Sequence, residues 1–297
     1  MPQPIIFPAQ NHIRKLEALR NSRVLVFAAS HLEIEILPAL YEQLCEISRV
    51  ERLDVVIQCR GGVVNGARRI ILLLRQFTDH LGLIVPHYCE SSSTILSLAA
   101  NEIVAGELAI FSPIDPHLNG SSGSGDNAVS TFSCLDIKMF GKMSQDWFGI
   151  HSDEARIESL SLLCQSIFPP ALTAFYRTAL ELEQIGTELL KYQLPEQSEE
   201  YRQQIIRQLM YGYHSHNYAI TRDEMAALGL KLRRDPETEQ LAWEMSRMLH
   251  TIVGGGLRQS LEEPWYDVLL ASRDSVKVRQ KQNDGFVPQW IEADFAA

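Results

Sequence analysis

Along the first hundred residues, short unbroken apolar runs alternate with longer stretches in which apolar residues recur every three to four positions. The runs are RVLVFAA (23–29), LDVVIQC (53–59) and LGLIVPHY (81–88). They have strand length and lack the polar alternation of a half-exposed sheet, as strands covered on both faces require. Between and after them, EIEILPALYEQLCEIS (33–48), VVNGARRIILLLRQF (63–77) and SSTILSLAANEI (92–103) carry helical spacing. Strands alternating with helices of this length predict βαβ units and a parallel sheet. Beyond residue 153 the pattern turns helical, over 153–168, 171–194 and 198–213. One more helix is predicted at AITRDEMAALGL, where Thr221 and Glu224 fit a capping box and Ile220 can staple onto Met225. NGSSGSGDNA (119–128) reads as a loop. The segment 264–297 carries aromatic anchors among charges, and is expected to dock back or to mediate assembly.

The bulk composition narrows the classes of partner. Of 297 residues, 37 are acidic and 27 basic, and the net charge of −10 opposes an extended phosphate contact, so no nucleic-acid partner is expected. The five cysteines are odd in number and widely spaced, with no CxxC pair and no His cluster at ligand spacing. Neither a metal nor another cofactor is expected, and a reducing cytoplasm fits best. The N-terminal apolar run of three residues is too short for a secretory signal and no window approaches a membrane span, so the expectation is a soluble protein without a membrane span.

Two features can carry chemistry. LDVVIQC leads into Arg60-Gly61-Gly62, where paired glycines let the backbone turn sharply and aim amide N–H groups above the sheet edge. The next strand ends at a serine cluster, Ser91-Ser92-Ser93, before a small-residue helix. In a parallel sheet ligands bind beyond the carboxyl ends of the strands. Amide donors facing a serine there are the parts of an acyl-transfer site. A tight connection and a helix cap are the bland readings of the same residues.

The Gly-Gly helix, the run IVPHYCESSSTILSLAANEIVAGELAIFSPIDPH and the later SHNYAITRDEMAALGL together resemble the serine dehydrogenase proteinase family. That family is related to signal peptide peptidase A and the Clp protease proteolytic subunit within the Clp/crotonase fold. The resemblance spans roughly residues 23–235, with three motifs in order. Pro86, Tyr88 and Thr94 fix the register, which places the family's serine on Ser91; Ser92 and Ser93 replace its Ala and Gly. It implies Ser91 as nucleophile and the amides of Gly61 and Gly62 as oxyanion hole.

A serine needs a base within reach. Aligning SHNYAITRDEMAALGL backwards from Gly229-Leu230 onto the segment where the Clp subunit keeps its aspartate puts His216 and Asn217 there, and Asp115 of PIDP falls near the place of its histidine. The resemblance thus implies Ser91, His216 and Asp115 as nucleophile, base and orienting carboxylate. Lys142 and His117 stand as alternative bases, on their sequence distance from Ser91. A lysine base requires burial to be neutral. Arg60 is either a carboxylate-binding residue or a surface arginine, and Cys59 and Cys89 either buried hydrophobes or nucleophiles.

The fold implied is α/β, with Clp/crotonase-type stacked ββα units and a parallel sheet, followed by a helical C-terminal half. The expected domains are an N-terminal extension (1–22), a peptidase domain (23–235) and a helical assembly tail (236–297). The expected function is a cytoplasmic, ATP-independent serine endopeptidase acting on unfolded proteins or peptides as a homo-oligomer. A crotonase-like acyl-CoA enzyme and an inactive binding scaffold are the alternatives; the departures at Ser93 and Asn217 keep the scaffold among them.

Overall fold

The structure, a computed structural model, describes residues 7–115, 117–121, 129–254, 265–281 and 289–293. In chain order the elements begin with α1 (Gln10–Arg20), β1 (Arg23–Ala29), α2 (Leu37–Ile47), β2 (Val50–Cys59), α3 (Val64–Gln76) and β3 (Thr78–Val85). Then come β4 (Tyr88–Cys89), α4 (Ser92–Leu98), β5 (Glu102–Ala105), β6 (Ile110–Phe111), β7 (His117–Ser121) and β8 (Val129–Ser133). The helices α5 (Cys134–Phe148), α6 (Asp153–Ser166), α7 (Pro169–Gln193), α8 (Glu199–Tyr211) and α9 (Arg222–Ala227) follow. The chain continues through β9 (Leu232–Arg233), α10 (Pro236–Ile252), β10 (Trp265–Ala271), β11 (Val276–Lys281) and β12 (Gln289–Ala293). They form two compact units: Met1–Ser112 with Leu189–Gln197 and Ala219–Ala297, and Pro113–Glu188 with Ser198–Tyr218.

The first unit holds a sheet in the order β12-β11-β10-β1-β2-β3-β5-β9. From β1 to β9 the pairing is parallel, as the unbroken apolar runs predict. Val24 to Ala29 and Leu53 to Cys59 are all buried. The helix α3 turns Ala67, Ile70, Ile71 and Leu74 inward from a single stripe. At the carboxyl end of β2, Cys59 also pairs with Cys89 of β4, which continues to β6; this short parallel layer leads straight into α4. The mixed α/β architecture with a parallel central sheet is therefore the one expected.

Three boundaries differ from the expected ones. Residues 1–22 are not a separate extension, because Phe7, Ile13 and Leu16 are buried in one core with Ala242, Met245 and Leu249 of α10. Arg20 lies in a buried charge cluster with Asp54, against Glu102. The segment 236–297 is not a helical tail: α10 is followed by strands, and β10 joins β1 antiparallel, docking the aromatic-rich segment back onto the sheet. The helix expected over 92–103 ends at Leu98, because Gln193 donates to the carbonyls of Ser97 and Ala100 and Asn101 turns to accept from the Leu81 amide. Of the loop expected at 119–128, residues 122–128 lie outside the described residues, and 119–121 belong to β7, which pairs with β8.

In the second unit, Ser133 and Asp136 form a capping box at the start of α5, and Ser152 and Ser198 cap α6 and α8. In the first unit, the capping box of Thr221 and Glu224 opens α9, with Ile220 and Met225 both buried.

Candidate active site

The turn from β4 into α4 separates the three serines. Ser92 and Ser93 are buried, at 2% and 0% exposure, whereas Ser91 is partly open to solvent. Ser91 has φ 53° and ψ −124°, one of three non-glycine residues with positive φ among the described residues. A β-carbon is strained in that region, and strain of this kind persists only where the surroundings over-determine it. Here they do. The Ser91 N–H donates to Ser112 Oγ at 2.6 Å, and the Ser93 and Thr94 amides close onto the carbonyls of Glu90 and Ser91. Thr94 Oγ1 donates to the carbonyls of Cys89 and Ser112. Ser112 and Thr94 thus fix the turn. The role of Ser112 has no signal in the local sequence, since its hydroxyl pins a backbone twenty-one residues away.

The glycine pair stands against this turn. A β-carbon on Gly61 would lie 2.8 Å from Ser91 Cβ and 3.3 Å from its Oγ, and Gly61 has φ 102°. Only glycine tolerates both the space and the dihedral. On Gly62, at φ 148°, a β-carbon would lie 2.3 Å from the Leu32 amide. Leu32 bridges this segment, donating to Gly61 O at 2.7 Å and accepting from Val63 N at 2.8 Å. In such a parallel bridge the middle residue, Gly62, directs its own N–H to the opposite edge.

The two glycine amides expected to act together differ in their surroundings. The Gly61 N–H is turned back onto Cys59 Sγ, at 3.4 Å, and so serves the strand end. Among the described residues, the Gly62 and Ser92 amides have no acceptor. Cys59 and Cys89 are buried thiols; burial pushes Cys59 up to about 11 and raises Cys89 well above its ordinary value. At neutral pH neither is a thiolate, which argues against either as nucleophile.

The second unit contains the other named residues. His216 Nδ1 and Asp115 Oδ1 are 2.7 Å apart, although 101 residues separate them in sequence. Asp115 is 4% exposed, and the Asp115 charge adds to burial in raising the Cys134 thiol to about 11. The His216 ring is partly exposed. Asn217 donates its N–H to Ser215 Oγ on the surface. Lys142 is exposed on α5 with Nζ 2.5 Å from Asp146, one helical turn on, and lacks the burial that a lysine base requires. His117 opens β7 in register with Ser133 of β8. Among the described residues no group of three or more His, Cys, Asp or Glu is placed to hold a metal ion, and no helix is long and apolar enough to cross a membrane.

Comparison with known proteins meets this site directly. Residues 3–130, which include the glycine pair and the serine turn, match the family model of ClpP-like SDH-type serine proteinases. An uncharacterized protein of Methanocaldococcus jannaschii is 24% identical over 233 residues, 74% of this chain and 70% of its own. Among solved structures, a membrane-bound stomatin-specific protease has TM-score 0.44 at 11% identity, covering 73% of this chain and 82% of its own. ClpP1 from Listeria monocytogenes has TM-score 0.40 at 12% identity, covering 76% and 99%. The family match overlaps the resemblance drawn from the motifs over residues 23–130; the third motif, at 215–230, lies outside the match.

Proposed function

We propose that the protein is a serine peptidase that cleaves unfolded chains or peptides by acyl transfer, without ATP. Ser91 Oγ attacks the scissile carbonyl. His216 Nε2 takes the proton, with Nδ1 held by Asp115, and later returns it to the leaving amine. The tetrahedral oxyanion is held by the amides of Gly62 and Ser92, the two that lack an acceptor beside the serine. Ser91 and the His216–Asp115 pair belong to different compact units, so this reading requires His216 Nε2 to reach Ser91 Oγ during turnover.

The observation that carries the reading is the strained φ of 53° at Ser91, alone of the three serines in being accessible, packed against a position where only glycine fits. Labelling by a neutral fluorophosphonate tests it and separates it from an acyl-CoA enzyme or a scaffold, since only an activated serine reacts.

We propose further that the working form is a homo-oligomer in which a second copy covers α5 to α7. Trp147 and Phe168 are 76% and 73% exposed there, and Ile157 and Leu162 also face solvent. No residue of α6 is fully buried among those described, so apolar side chains lie open on more than one side of that helix. Open apolar surface of this kind is uncommon on a monomer.

A further inference from the structure

Beside the serine turn, in the first unit, a pocket of about 370 Å³ opens over the carboxyl ends of β1 and β2. Ser30, Gln58, Arg60, Tyr88 and His250 line it, with the backbone at Val253 and Gly254 closing one side. Arg60 immediately precedes the glycine pair, and Tyr88 lies three residues before Ser91. Cys59 of the pocket pairs with Cys89, and Gly61, next after Arg60, packs against Ser91 Cβ, so the pocket borders the serine turn.

Arg60 is an exposed side chain with an aromatic partner. Its guanidinium carbon lies over the Tyr88 ring, 3.9 Å from the centroid. Tyr88 is stacked on His87 at 3.7 Å, and His87 Nδ1 is 3.1 Å from His250 Nε2. The contact with the ring restricts the guanidinium before any ligand arrives, which lowers the side-chain entropy lost on binding. Its one ion pair among the described residues, to Glu90, is 3.6 Å long, outside hydrogen-bond range, and leaves N–H donors of the fork for another acceptor. Burial and neighbouring charge hold His87 near 4 and push His250 below its ordinary value, so near pH 7 both rings are neutral. Among the described residues Arg60 is then the one formal charge lining the pocket, a local cation in a chain of net charge −10.

We infer that this pocket is a substrate subsite for a carboxylate, bound by the Arg60 fork on its Tyr88 platform beside the scissile bond. The inference rests on the peptidase reading. The carboxylate can come from an acidic side chain or from the C-terminus of the substrate chain, and both present the planar two-oxygen group that a guanidinium matches.

The test reads the rate at which a neutral fluorophosphonate labels Ser91 in the presence of hexapeptides made in four versions. These carry Glu or Gln at a central position and a free or amidated C-terminus. Carboxylate-bearing peptides should protect Ser91 at roughly ten- to hundred-fold lower concentration than neutral ones, the range of a charge-assisted bidentate contact. In Arg60→Gln that difference, read as the ratio of protecting concentrations within the variant, should disappear; Arg60→Lys should keep only part of it. Superior protection by the Glu versions assigns the subsite to a side chain, and superior protection by the free C-termini assigns it to the chain end. Equal protection by all four, or a preference unchanged in Arg60→Gln, overturns the subsite while leaving the peptidase reading in place. Failure of the parent protein to label at all instead removes the peptidase reading, and the subsite with it.

Discussion

Gly61 and Ser91 are packed so closely that a β-carbon on the glycine would fall 2.8 Å from Ser91 Cβ and 2.9 Å from the Glu90 carbonyl. Real β-carbons do not approach backbone and side-chain atoms that closely, and φ of 102° penalises any L side chain independently. Gly61→Ala should therefore displace the serine turn. The expected outcome is loss of fluorophosphonate labelling by at least about 100-fold, with a destabilisation of about 1–3 kcal/mol from the strained dihedral, measured by urea unfolding. Full labelling in Gly61→Ala would show that the close contact has no part in presenting Ser91.

The base is decided by three substitutions. His216→Gln and Asp115→Asn should each lower kcat/KM on an unfolded protein substrate by about 10²–10⁴-fold, the usual contribution of a positioned proton acceptor. Lys142→Ala should leave activity near that of the parent and change stability by less than about 1 kcal/mol, because its exposed pair with Asp146 is worth little. Loss of activity in Lys142→Ala with His216→Gln active would reassign the chemistry to a Ser-Lys pair.

Stability should fall as the medium is acidified, partly through His87. Burial first, then the neighbouring His250 and Arg60, hold its folded value near 4, below the ordinary imidazole value of roughly 6.5. Between those two values the unfolded chain binds a proton that the folded chain refuses, so the folded state loses stability as pH falls through that window and regains it as pH rises. His250 is shifted in the same direction by burial and Arg60. Urea midpoints compared at pH 5 and pH 7.5 should differ less in His87→Asn than in the parent. An equal pH dependence in both would contradict the assignment.

The apolar helices of the second unit give an assembly prediction. Trp147→Glu combined with Phe168→Glu places charge where a second copy is proposed to sit. Light scattering at micromolar concentration should give a multiple of 33.6 kDa for the parent and a smaller mass for the double variant. A parent mass of one chain would remove this proposal without touching the site.

Much of the scaffold was legible because the period of its apolar residues is a direct record of burial. Strands β1 to β3, the stripe of α3 and the capping box at Thr221 follow from spacing alone. The last strands were not, since Trp265 to Ala271 and Val276 to Lys281 mix charges with apolar residues, and Arg279 is buried by pairing with Asp267 rather than by being apolar. The serine turn was legible as a place, through Gly61-Gly62 and Ser91, but not as a geometry. The positive φ of Ser91, its bond to Ser112 and the capture of the Gly61 amide by Cys59 are tertiary facts without a local pattern. The approach of His216 to Asp115 likewise became visible only once α8 and the loop after it were placed.

The most direct measurement is site-resolved labelling of the intact protein by a neutral fluorophosphonate, followed by peptide mass analysis. Ser91 alone should carry the adduct, at a rate that Ser91→Ala abolishes; Ser92→Ala and Ser93→Ala, at positions buried under the turn, should still be labelled at Ser91. An adduct on another residue, or none on an otherwise folded protein, would contradict the assignment of this turn as a nucleophile.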